Sequence, residues 1–281
     1  MTVAATSLAT GYADFFDPAD LPVTRLEVPS CDLARVPLLA AEFRRLAGFA
    51  DADEPLDYQH AFRLLEALGI CVVCRRFPPT IKAYAFYTEI NRQRVVFVNA
   101  ETKVMDLIFP LLHEATHAVR GTGAADGYDR NEEDFCDAVA NSVQFPPGYV
   151  DRVHNAIAGC PPGIMVNALK VFASRNHHAI YGLVKCIEAK HGTLNLQVSA
   201  ADANLRKSLP CLADVLFRAG AANFAEQLRA LSPLFYRLLL NRLPGLSARR
   251  LAELLDIESV LDAVQVREEL EREARKRVCP V

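Results

Sequence analysis

The alternation of apolar and polar residues changes period several times along the chain, and each change marks an element. Tyr58, Ala61, Phe62, Leu65 and Leu68 recur at helical spacing and Gly69 follows as a stop, which predicts a helix over 58–68. The continuous apolar run 70–77, closed by Pro78-Pro79, reads as a strand. Two more strands are predicted over 83–88 and 94–99, joined across Glu89-Ile90-Asn91-Arg92-Gln93. A helix from about 102 to 119 comes next; Pro110 inside it forfeits one backbone hydrogen bond and should bend or restart it. In 131–146, Phe135, Val139 and Val143 recur every four residues, giving another helix with an acidic first turn and a proline stop.

Beyond Pro146-Pro147-Gly148 the pattern is helical throughout. Periodic segments lie near 149–158, 164–175, 179–191, 201–209, 212–218, 222–231, 233–243 and 247–255, with a charged terminal helix over 258–276. Prolines and glycines punctuate them, and no period is regular enough for a solenoid. The first 50 or so residues are weakly periodic and carry Asp17-Pro18, Leu21-Pro22 and Val28-Pro29, so they read as an extended leader packed on the body, followed by a helix near 36–48. The expected segments are therefore 1–56, a leader and helix; 57–148, a mixed helix and strand domain; and 149–281, a helical domain.

Composition narrows the class. At 281 residues, with 51% hydrophobic and 23% charged residues, the chain is long enough to bury a large core and belongs among soluble globular proteins. A net charge of −3 argues against direct nucleic-acid or membrane-surface binding driven by electrostatics. No run reaches the length of a membrane span and residues 1–16 lack a basic region before an apolar core, which together predict a cytoplasmic protein. The eight cysteines are scattered, as suits reduced thiols. Cys71 and Cys74 form a C-x-x-C pair, but on a strand residues three apart face opposite ways, so buried thiols are expected there rather than a chelate.

The chemistry concentrates in His113-Glu114-Ala115-Thr116-His117. Two histidines four residues apart on a helix can reach one metal ion, and Glu114 then stands beside that ion, free to act as a base. Zinc hydrolases need three protein ligands and an open fourth position, so a third ligand must come from elsewhere. The loop Gly121-Thr122-Gly123-Ala124-Ala125-Asp126-Gly127 gives the helix over 131–146 room to fold back beside the first. Glu132 and Glu133 differ by about 100° round that helix, so one of them faces the metal. Glu133 is the expected ligand, because Asp137 follows it at i+4 on the same face. Asp137 can accept the free N–H of a metal-bound histidine.

H-E-x-x-H followed by E-x-x-x-D resembles the gluzincin arrangement. Glu133 through Pro146 also resembles the "ExxAN-x-FA-x-x-LLMP" block of the ImmA/IrrE family of metallopeptidases, over roughly residues 57–148, about a third of the chain. Thr116, Val139 and Gln144 depart from that pattern without removing a ligand. The resemblance implies an α+β fold in which a small antiparallel sheet carries the active-site helix, followed here by an all-helical C-terminal region. It implies one zinc ion on His113, His117 and Glu133, and Glu114 moving the proton. The substrate would be a helix-turn-helix transcriptional repressor, bound extended along the sheet edge and cleaved in a stress response or to mobilise a genetic element. Tyr84 or Tyr87 would then help hold the tetrahedral intermediate, or serve as packed sheet aromatics, and His154 would be a further oxyanion donor.

The competing expectation is a regulatory protein that binds a partner or DNA, with a structural or vestigial metal site; the intact Glu114 speaks against it. Residues 246–257 and 183–209 resemble parts of a helix-turn-helix, but no basic recognition helix follows Ile257, so helical hairpins are expected. His177, His178 and His191 lack a carboxylate at helical spacing and read as surface or core residues.

Overall fold

The computed structural model describes residues 3–17, 26, 28–49, 51, 53–122, 129–218 and 220–278. Pro18 and Leu21-Pro22 of the expected leader, and Gly123-Ala124-Ala125-Asp126-Gly127 of the expected loop, lie outside the described residues.

The fold is α+β. Among the described residues it comprises α1 Val3–Thr10, α2 Val36–Leu46, α3 Tyr58–Ala67, β1 Cys71–Arg75, β2 Ala85–Ile90, β3 Gln93–Asn99, α4 Val104–Arg120 and α5 Arg130–Gln144. These are followed by α6 Pro147–Ile157, α7 Pro162–Asn176, α8 Ile180–His191, α9 Ser199–Ser208, α10 Leu212–Phe217, α11 Gly220–Leu231, α12 Pro233–Arg242, α13 Ala248–Leu255 and α14 Val260–Val278. No helix among the described residues is long and apolar enough to cross a membrane. The helix ends follow local rules: Asp57 caps α3 by accepting the His60 N–H, and Asp129 accepts the Asn131 N–H at the start of α5. Helix α4 runs uninterrupted through Pro110 and ends at Gly121, whose φ of 70° supplies the left-handed conformation of its C-terminal turn.

The sheet differs from the expected one. It is mixed rather than antiparallel, in the order β1-β3-β2, with β1 parallel and β2 antiparallel to β3. Residues 76–84 reverse the chain once and the hairpin reverses it again, so β1 and β3 run the same way. The hairpin turn is tight: Ile90 pairs with Gln93, and Asn91 and Arg92 take φ of 49° and 66°, as a two-residue type I′ turn demands. Strand β3 is central, and Val95, Val96, Phe97 and Val98 are all fully buried, the continuous apolar run of a strand covered on both faces.

The N-terminal region also departs from an extended leader. Its start is helical, and behind α1 the aromatics Tyr12, Phe15 and Phe16 are buried. Tyr12 packs edge-on against Phe97 at 5.3 Å and its hydroxyl donates to the Leu254 carbonyl. Alanines favour a helix here without giving a strong amphipathic signal.

Two apolar cores result. The larger draws on α1 to α5, the sheet and α10 to α14; the smaller consists of α6 to α9 with Met105 and Phe145. The chain thus leaves the main core after α5 and returns at α10. The return is pinned to the segment ahead of α4, where the Val104 N–H donates to the Pro210 carbonyl and the Leu212 N–H to the Thr102 carbonyl. A cleft forms where the two cores meet beside α4.

Candidate metal centre

Helix α4 buries Leu111, Leu112, Ala115 and Ala118 against the main core, and this orientation turns His113 and His117 toward α5. Thr116 is fully buried and its hydroxyl donates back to the Leu112 carbonyl, so a polar side chain is accommodated within the packed face. The two Nε2 atoms stand 3.0 Å apart. Glu133 reaches them from α5, with Oε2 at 3.3 Å from His113 Nε2 and Oε1 at 3.6 Å from His117 Nε2.

These separations suit a single small cation. Zn–N and Zn–O bonds of about 2.0–2.2 Å in tetrahedral geometry place neighbouring donor atoms about 3.3 Å apart, and the three observed distances bracket that value. His113, His117 and Glu133 therefore form a group that can hold a metal ion, and the two-imidazole, one-carboxylate set is the donor chemistry that zinc accepts. A second group within ligand distance comprises His117, Glu132 and Cys136.

Each histidine has a partner on its other nitrogen. His113 Nδ1 lies 2.9 Å from Asp137 Oδ1, the contact expected from the i+4 spacing. Burial works against a charged His113, but the Asp137 hydrogen bond and the carboxylates of Glu114 and Glu133 outweigh it and raise its pKa. Burial, reinforced by the charge of His113, lowers that of His117. His117 Nδ1 lies 3.3 Å from Thr122 Oγ1, just past the glycine that ends the helix.

Glu114 points to the sheet. Its Oε2 accepts the Tyr87 backbone N–H at 2.7 Å, and burial pushes its pKa up to about 7, with His113 and that N–H opposing. A dication on the adjacent donors would draw it down again. The Tyr87 N–H is on the edge of β2 that β3 leaves free, so Glu114 sits against an edge strand.

His113, Glu114 and Asp137 line the cleft, which encloses about 710 Å³. Phe109 and Phe145 give it apolar walls, and Tyr181 and Lys185 from α8 close the far side. Of the three oxyanion candidates, Tyr84 alone lines it, with 52% of its surface exposed. Tyr87 is buried and its hydroxyl donates to Glu89 at 3.1 Å. His154 stacks on His191 at 3.9 Å. Tyr87 lies within β2 and packs as a sheet aromatic, while Tyr84 stands just ahead of that strand. His154 stands on α6, none of whose residues lines the cleft.

Sequence reading weighed Glu132 only as the rival of Glu133 for the metal and did not foresee its buried, hydrogen-bonded place. This carboxylate is only 6% exposed and is bound by Arg120, Thr122 and Cys31. Burial opposes its charge, but those hydrogen bonds and the Arg120 charge bring its pKa down to about 2. A signal was present: Glu132 lies in the same helical stripe as Phe135, Cys136, Val139 and Val143, an acid in an otherwise apolar row.

Compared with known proteins, the chain matches no protein-family model and no curated protein.

Proposed function

We propose that the protein is a zinc-dependent endopeptidase, with His113, His117 and Glu133 holding the ion and Glu114 moving protons. The observation that carries this reading is convergence: the two imidazole Nε2 atoms stand 3.0 Å apart, and the Glu133 carboxylate approaches them at 3.3 Å through Oε2 and 3.6 Å through Oε1, beside the half-buried Glu114 carboxylate on the wall of a cleft. Zinc, when bound, supplies Lewis-acid polarisation of the scissile carbonyl and a water acidified toward neutral pH. His113 keeps its Nε2 lone pair available by directing Nδ1–H to Asp137. Glu114 accepts the proton of the attacking water and passes it to the leaving amine. The free edge of β2 adds a peptide in extended form, which lays its backbone past Glu114. Phe109 and Phe145 favour an apolar side chain next to the cleaved bond.

The ImmA/IrrE resemblance adds the substrate class, a helix-turn-helix repressor. A cytoplasmic setting suits the seven described cysteines, all of which are free thiols. The test is metal analysis of the purified protein together with incubation against repressors encoded beside its gene. Glu114→Gln should keep stoichiometric zinc and lose about 10²–10⁴-fold in cleavage rate, because an amide cannot accept the water proton. If the parent and Glu114→Gln proteins both relieve repression in cells, with zinc bound and no cleavage by either, the protein works by binding and the peptidase reading is wrong.

A further inference from the structure

Behind His117, on the side away from the converging Nε2 atoms, lies a set of polar side chains that the proposed reaction does not use. Glu132 is at its centre. Arg120 donates to the carboxylate through Nε at 3.1 and 3.2 Å and through Nη2 at 2.8 Å. Cys31 Sγ donates to Oε2 at 2.9 Å, and Thr122 Oγ1 donates to Oε1 at 2.5 Å. The assembly is tied to both flanking segments. Arg120 Nη1 donates to the Val28 carbonyl at 2.6 Å, while the Val28 N–H donates to the Val119 carbonyl at 3.1 Å. Gly121 turns the chain so that the Thr122 N–H reaches the His117 carbonyl at 3.2 Å, which brings the hydroxyl beside the imidazole.

Proton accounting then decides the state of His117. A hydroxyl has one proton and can accept through its lone pairs. The Thr122 proton goes to Glu132, so toward His117 its oxygen acts as acceptor, and the contact at 3.3 Å requires the proton to be on His117 Nδ1. In the neutral ring that leaves the lone pair on Nε2, the atom that faces His113 and Glu133.

We infer that Glu132, acting through Thr122, is the positioning residue for His117, fixing the tautomer and ring orientation in which Nε2 faces the metal. The inference rests on the proposed function in taking His117 as a ligand. Arg120 and the segment carrying Val28 and Cys31 keep the Glu132 carboxylate charged and in place. The two ligand histidines are thus held differently: His113 by Asp137, 54% exposed, and His117 by a relay ending in Glu132, whose side chain is 8% exposed.

The grouping of His117, Glu132 and Cys136 admits another use, a second metal ion. The chemistry disfavours it. Both Glu132 oxygens already accept from Arg120, so a cation there would displace a guanidinium. One ion per chain is expected.

The test uses the full-length protein, with zinc affinity from competition against a chromophoric chelator, the visible spectrum of the cobalt-substituted form, and the His117 tautomer from long-range ¹H–¹⁵N spectra of metal-free protein. Thr122→Val keeps the shape and removes the relay; it should weaken zinc by about 10–100-fold, alter the cobalt spectrum and mix the tautomers, with circular dichroism unchanged. Thr122→Ser should restore all three readouts. Glu132→Gln, which keeps an acceptor oxygen but not the charge, should fall between. The inference is overturned if Thr122→Val matches a zinc-binding parent in affinity, spectrum and tautomer. It is also overturned if the parent binds two ions and Glu132→Gln binds one. A parent without zinc refutes the peptidase reading instead, and the tautomer comparison then still decides whether Thr122 and Glu132 set the His117 ring.

Discussion

Removing the Asp137 carboxylate tests how the other ligand histidine is held. In Asp137→Ala, His113 Nδ1 loses an acceptor at 2.9 Å. A hydrogen bond to a charged group contributes about 1.5–3 kcal/mol where it is well shielded. Asp137 is 54% exposed, so water can take its place at Nδ1, and the lower end of that range applies. About 1.4 kcal/mol corresponds to a tenfold loss of zinc affinity, the small end of the 10–100-fold range for partners of metal-bound histidines. Asp137→Asn, which retains an acceptor oxygen, should lose about threefold, intermediate between parent and Ala. Competition titration against a chelator at constant pH and ionic strength measures both. An Ala variant within twofold of the parent would show that the contact does not hold the ring. Complete loss of zinc would make Asp137 a ligand, and the assignment of Glu133 would fall with it.

Other expectations follow from the same structure. Glu133→Ala should abolish stoichiometric zinc while Glu132→Gln only weakens it; metal analysis after dialysis showing the reverse would exchange their roles. Arg44→Met should destabilise the protein by about 2–4 kcal/mol in urea unfolding, because the guanidinium donates to the carbonyls of Val143 and Glu54 at 2.7 Å each and the first of these is buried. Phe97→Ala, which opens a hole between Tyr12 and Phe86 in the main core, should cost about 3–5 kcal/mol in the same assay. Burial lowers the pKa of His178 to about 4, and its Nε2 accepts from the Tyr149 hydroxyl at 2.8 Å. The folded value is below the unfolded one of about 6.5, so stability is intact above pH 6.5 and is lost as pH falls toward 4, by on the order of 3 kcal/mol. His178→Gln should flatten that loss relative to the parent, and identical pH profiles would show that the ring does not stay neutral.

The local elements were legible because each is written in its own residues. Periodicity and stop signals placed α3, α4 and α5 within a few residues, and they set His113, Glu114 and His117 on one helix and Glu133 and Asp137 together on the next. The fixed geometry of a helix makes i and i+4 neighbours in any fold, so the pairing within each helix required no tertiary information. Three features did. The parallel pairing of β1 with β3 depends on which edge the hairpin leaves free, and residues in the two strands are too far apart in sequence for a local pattern to specify it. The burial of Tyr12, Phe15 and Phe16 depends on a surface made by β3 and α12, which exists only once the chain has folded. The relay from Cys31 and Arg120 through Glu132 and Thr122 to His117 joins three separate segments. An acid in an apolar stripe marks Glu132 as unusual, but its partners are chosen by packing, because a buried charge is tolerated only where the fold brings donors to it.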